Sequence, residues 1–131
     1  IPKTWSTCNN LADIYYDGNL GSPDYIEAMK YYKKAVDDKG NYMDDAAATI
    51  GLMYEKGRGV KKNLKEARKY YKISTDNYKN YIWGTRVYGK FLFKGIGGEK
   101  DFKNGLFYIG KASEKGDSKA IKLVKEIEEL M

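Results

Sequence analysis

Three stretches of this chain are variations on one text, and that constrains the fold more than anything else in its 131 residues. Leu11-Ala12-Asp13-Ile14-Tyr15-Tyr16-Asp17-Gly18 recurs as Ile50-Gly51-Leu52-Met53-Tyr54-Glu55-Lys56-Gly57 and, more loosely, as Tyr88-Gly89-Lys90-Phe91-Leu92-Phe93-Lys94-Gly95, at offsets of 39 and 38 residues. The same offsets carry Asp24 onto Asn63 and Asp101, Ala28 onto Ala67 and Gly105, and Tyr31-Tyr32 onto Tyr70-Tyr71 and Tyr108-Ile109. A frame shared by four separate features describes an array of similar units, each burying its apolar face against the next. The expectation is one solenoid domain over 1–131, with units at about 5–40, 44–79 and 82–116 and a capping helix at about 117–131.

Each unit reads as helix, glycine-bearing turn, helix. The first helix closes at Gly18, Gly57 or Gly95, where glycine takes the left-handed conformation of a helix C-terminus. Gly21, Gly59 and the pair Gly97-Gly98 follow. The second helix starts at Asp24, Asn63 or Asp101, whose short side-chain oxygens accept from orphan backbone N–H groups. Glu27 and Glu66 stand three residues on, as a capping box wants, and Asn104 keeps a polar remnant of it. Second helices are expected over about 25–38, 64–76 and 102–114, ending near Gly40, near Gly116 and, in the middle unit, in the loop 76–80. Asp44-Asp45 opens the middle unit's first helix, where negative charge suits the helix dipole. Asp117 caps a last helix, Ala120 to Leu130, that shields the third unit.

Composition gains meaning inside this frame. Ala28, Tyr31, Tyr32 and Ala35 fall at the 3, 4, 7 spacing of one helix face, so alanines let helices approach while tyrosine rings fill the wedge. Much of the excess of 13 tyrosines is thereby packing. With no histidine in the chain, a Ser-His-Asp triad, a Cys-His dyad and a His-ligated zinc are excluded. The single cysteine, Cys8, cannot close an internal disulfide; it aligns with Ala47 and Thr85 and reads as a packed small residue. Trp5 and Trp83 fall near the starts of first helices and read as packing residues, with interface anchoring as the second reading. The chain begins Ile1-Pro2-Lys3, which reads as a trimmed or processed product.

The run from Ile50 to Tyr71, Ile-Gly-x-Met-Tyr-x-x-Gly-x-Gly-Val followed by Lys-Glu-Ala-x-x-Tyr-Tyr, resembles a Sel1-like repeat, a relative of the tetratricopeptide repeat. The first and third units resemble it with substitutions: Leu20 breaks the Gly-x-Gly of the first, and Gly105 and Ile109 replace the usual Ala and Tyr of the third. The resemblance extends over about 7–120. It implies an all-α, right-handed superhelix of paired antiparallel helices and a bacterial protein-interaction scaffold or adaptor, with the periplasm or secretion favoured over the cytoplasm.

Other motifs give way to this frame. Gly57-Arg58-Gly59-Val60-Lys61-Lys62 lacks the Gly-Lys-Ser/Thr ending and the preceding strand of a phosphate loop. Asp37-Asp38, Asp44-Asp45, and Glu126 with Glu128 and Glu129 do not converge on a substrate, because adjacent helical residues point about 100° apart. The net charge of +6 is a gradient: −3 over residues 1–46, +6 over 47–84 and +3 over 85–131. A bipolar chain suits a partner with its own charge pattern.

The expected function is non-catalytic binding of a partner protein by the concave face that first helices line, without metal or cofactor, by a monomer or weak dimer with no membrane span. Residues of those helices outside the unit's own packing are the candidates: Asn10, Asp13, Tyr16 and Asp17; Thr49, Leu52, Glu55 and Lys56; Val87, Lys90, Phe93 and Lys94. Tyr16, Leu52 and Phe93 are the candidate hot spots, ringed by charge. Two alternatives stand beside this reading. One is an inhibitor or immunity protein neutralising a secreted bacterial toxin or effector. The other is a nucleic-acid-binding domain using the basic middle and C-terminal units, disfavoured because lysine outnumbers arginine by 21 to 3.

Overall fold

The computed structural model describes residues 5–19, 21–38, 43–76 and 82–131. Among them are seven helices and no strand: α1 (Trp5–Asp17), α2 (Tyr25–Asp37), α3 (Met43–Lys56), α4 (Leu64–Asp76), α5 (Ile82–Lys94), α6 (Phe102–Glu114) and α7 (Ser118–Leu130). This is an all-α solenoid in which each helix packs against the next in the chain and α3 also touches α5. Paired helices run antiparallel, since Tyr16 meets Tyr25 while Asp13, a turn earlier, meets Tyr32. The expected features at Leu20, Gly40, the loop 77–80 and the side chain of Trp5 lie outside the described residues.

Local chemistry explains the punctuation. After each first helix the N–H two residues past the last turn reaches back five residues: Asn19 to Ile14, Arg58 to Met53 and Ile96 to Phe91, at 3.2, 2.9 and 2.9 Å. That pattern needs a left-handed residue, and Gly18, Gly57 and Gly95 supply it with φ of 75°, 72° and 72°. The second helices begin on the expected caps, with Asp24 accepting from Glu27 N, Asn63 from Glu66 N and Asp101 from Asn104 N, each at 3.1 Å. The reciprocal half of the capping box is replaced by a main-chain tie. The N–H of each cap residue donates to a main-chain carbonyl of the preceding helix, Tyr15, Tyr54 or Leu92, at 2.8, 2.9 and 2.8 Å. The turn is thus sewn to the helix it leaves.

Units join through their turns. A Cβ on Gly59 would lie 2.7 Å from the main chain of Tyr25 at the start of α2, and one on Gly97 would strike the carbonyl of Leu64 at the start of α4. Arg68 reinforces the second seam, donating from Nη1 to the carbonyl of Glu99 at 2.9 Å. In the third unit the equivalent seat is Phe102 and Leu106, which are 54% and 38% exposed.

The core is a chain of small clusters, as an array requires. Cys8, Ala12, Ala28, Met29, Tyr32, Ala35, Ala46, Ile50 and Met53 form the first; Ala67, Tyr71, Tyr88, Phe91 and Leu92 the second; Ile109, Ala112, Ala120 and Ile127 the third. Burying a side chain such as Ile50 or Ile109 contributes about 2 kcal/mol. Stacked rings brace the first two units, Tyr15 on Tyr31 and Tyr54 on Tyr70, both with centroids 5.8 Å apart. Buried Cys8 takes its expected place in packing.

Candidate partner-binding groove

The first helices leave a hollow between them. Leu52, Glu55 and Lys56 of α3, Trp83, Arg86, Val87 and Lys90 of α5, and Lys119, Lys122, Leu123 and Glu126 of α7 line a groove of about 610 Å³. Helical spacing produces that lining: 52, 55 and 56, then 83, 86, 87 and 90, then 119, 122, 123 and 126 each trace one face of a helix. Half-buried Leu52, Trp83, Val87 and Leu123 form the apolar floor. Tyr71 and Phe91 close it from beneath, with Tyr71 edge-on to Trp83 at 6.1 Å and to Phe91 at 5.1 Å.

A second hollow of about 190 Å³ continues along α5 and α7, lined by Lys90, Phe93, Lys94, Ile109, Leu123, Glu126, Ile127 and Leu130. The two share Lys90, Leu123 and Glu126.

Charge in the groove is uneven. Lys56, Lys90, Lys119 and Lys122 are exposed, and among the described residues none pairs with a carboxylate. Arg86 is committed to structure, its Nε 3.2 Å from Asp117 Oδ2, which also caps α7 by accepting from Ala120 N at 3.0 Å. Glu55 is committed too, accepting from the Tyr71 hydroxyl at 2.7 Å. Burial and that carboxylate hold the Tyr71 phenol far above its ordinary pKa, so it stays a donor. Glu126 is the exposed acidic residue of the lining.

The candidate residues divide between the two ends of the molecule. Leu52, Glu55, Lys56, Val87 and Lys90 meet in the main groove, and Lys90, Phe93 and Lys94 in its continuation. Asp13, Tyr16 and Asp17 line neither. Asp13 accepts from the Tyr32 hydroxyl at 2.5 Å. Tyr16 is spent on packing, edge-on to Tyr25 and Tyr32 at 5.2 and 6.2 Å, while its hydroxyl accepts from Arg58 at 2.6 Å. Asn10 and Asp17 are exposed, and Thr49 donates to the carbonyl of Asp45 at 3.0 Å. Phe93 meets Phe102 edge-on at 5.3 Å. The groove residues outside the candidate set are Trp83, read first as packing, Arg86, and the α7 set, Lys119, Lys122, Leu123 and Glu126. Their 3, 4, 7 spacing was available as a signal, but the run lacks the glycine that marks the other first helices and so reads only as a cap.

On α4 a shallower hollow of about 470 Å³ gathers Lys65, Arg68, Lys69 and Lys72 beside Glu66 and Tyr88. Its one guanidinium, Arg68, is bound to the turn of the third unit. Among the described residues no group of acidic or cysteine side chains is arranged to hold a metal ion, and no helix is long and apolar enough to cross a membrane.

No curated protein matches the chain. Solved structures do: a Sel1 repeat protein from Oxalobacter formigenes is 30% identical with a TM-score of 0.81, over 90% of this chain and 46% of that one. The protein c5321, a protective antigen present in uropathogenic Escherichia coli strains displaying an SLR fold, is 28% identical with a TM-score of 0.80, over 88% of this chain and 24% of that one. Cysteine rich protein B of Helicobacter pylori, at 23% identity and a TM-score of 0.70, covers 91% of this chain and 88% of its own and shares the fold. The chain thus spans less than half the length of the first two. The model of the Sel1 repeat matches residues 5–39, 44–77 and 86–117, and the chain belongs to the Sel1 repeat family.

Proposed function

We propose that the chain is a non-catalytic interaction module that holds a segment of a partner protein in the groove between α3, α5 and α7. Sel1 repeat proteins generally mediate protein–protein interactions, which supports the class of function. The observation that carries the site is the apolar floor of Leu52, Trp83, Val87 and Leu123, drawn from three helices and left half-buried. Interfaces concentrate their energy in such central apolar spots ringed by polar side chains.

A photo-crosslinking residue placed at Val87 or Lys119, with a control at Lys69 on α4, tests it in the native cell. A discrete protein adduct from the groove positions and none from the control is the expected result. Adducts from Lys69 alone move the site off the groove. An inhibitor of a secreted toxin is a special case of the same reading, tested by co-expressing the neighbouring gene's product and asking whether growth is rescued. The basic hollow on α4 favours a second reading, nucleic-acid binding, which predicts affinity falling steeply with salt. Absence of binding to DNA and RNA at about 50 mM salt removes it.

A further inference from the structure

We infer that the groove selects an acidic segment bearing two apolar side chains, one for each of its two connected hollows. This rests on the groove being the binding site. The charge argument is direct: four exposed lysines on three helices, Lys56, Lys90, Lys119 and Lys122, surround the apolar floor, and the carboxylates of the lining are reduced to Glu126 once Glu55 is bound to Tyr71. A concave, low-dielectric surface of one sign concentrates ligand of the other.

The shape argument is independent. The main hollow offers Trp83, Val87 and Leu123, and its continuation offers Phe93, Ile127 and Leu130, with Lys90 common to both. Along α5 the main hollow's Val87 and Trp83 lie about 9 and about 15 Å from the continuation's Phe93, and extended residues i and i+4, which share a face, span about 13 Å. The fitting ligand places apolar side chains about that far apart with carboxylates between them, facing Lys90.

Three fluorescein-labelled dodecapeptides test this on the full chain by fluorescence polarisation: one with two leucines separated by three glutamates, one with those glutamates changed to glutamine, and one with the leucines changed to serine. The expected result is binding of the first at least tenfold tighter than of either other. Lys90→Glu with Lys119→Glu and Lys122→Glu, all at exposed positions, removes that preference while circular dichroism is unchanged. Equal binding of the glutamine peptide, lost in Val87→Glu, overturns the acidic specificity and leaves the groove reading standing. Equal binding by native and Val87→Glu chains overturns both. Equal binding of the serine peptide shows a polyanion surface without anchors and overturns the inference. So does absence of peptide binding in a chain that sediments as a dimer until the lysines are reversed, which makes the occupant a second copy.

Discussion

The second and third units solve one packing problem in two ways. Where a first helix crosses its second, the middle unit sets Gly51 under the ring of Tyr71; a Cβ there would lie 2.9 Å from the ring. The third unit has no ring. Gly89 and Gly105 instead face each other, each with its missing Cβ 2.9 Å from the other's carbonyl, and Ile109 fills the remaining space. The hydroxyl and its acceptor are lost together: Tyr71 donates to Glu55, whereas Ile109 has nothing to donate and the equivalent of Glu55 is Phe93. The unit therefore preserves a volume and a balance of polar groups, and the residue types that supply them are free to change.

The sharpest way to break this comparison is to add one methyl group to each crossing. Gly89→Ala and Gly105→Ala drive a Cβ into main chain that has no room to move, and each is expected to cost roughly 2–3 kcal/mol by overpacking. Gly51→Ala meets the ring of Tyr71, a side chain that must shift within its buried packing but is not main chain, and should cost somewhat less. Urea denaturation ranks the three, and equal losses would show that both crossings have the same slack.

Next in size is Asp117→Ala, which removes the cap of α7 and strands Arg86, for about 2 kcal/mol in all, against about 1 for Asn63→Ala at an exposed cap. A thermal melt in which the two lose equally would make the Arg86 contact energetically idle. Tyr71→Phe comes third, at about 1 kcal/mol, because it leaves Glu55 half-buried without its donor. If the Tyr71–Glu55 pair is energetically coupled, Glu55→Gln in the Tyr71→Phe background should recover part of the loss; no recovery would argue against coupling.

The smallest effect is a pH dependence in the first unit. Burial raises the pKa of Asp13 above the ordinary carboxylate value; the Tyr32 hydrogen bond opposes this, while Asp45 and Asp17 add to it. The folded state then holds that proton more tightly than the unfolded state. Its contribution to stability is complete below the ordinary carboxylate range and fades as pH rises through the raised folded value. Asp13→Asn does not titrate, so its melting temperature should gain on that of the native chain between pH 3 and pH 7. A constant difference across that range would remove Asp13 from the account.

The turns and caps are legible in the sequence because they are local. A short polar side chain or a glycine at a fixed offset decides each, and the second helices accordingly end and begin within a residue of where the caps place them. The groove is less legible because the repeat frame says which positions are equivalent and not which way they face. Asp13 and Leu52 are equivalent, yet one accepts from Tyr32 and the other floors the groove. Tyr71, the counterpart of Tyr32, finds its acceptor at Glu55, in the frame position of Tyr16. In α7 the apolar and basic face was readable, but its part in the site depends on α3 and α5 standing beside it, which no local pattern states.

The seams at Gly59 and Gly97 are main chain against main chain, and this separates what the array can vary from what it cannot. Spacing between units is fixed by atoms that every residue carries, so the curvature works like the pitch of a screw thread, set once and indifferent to the finish of its surface. Substituting groove lysines or floor residues then retunes what is gripped while the spacing of α3 and α5 stays constant. Changing that spacing takes a new atom at Gly97, whereas the α5–α7 side of the groove has no such seam, its seat at Phe102 and Leu106 lying exposed.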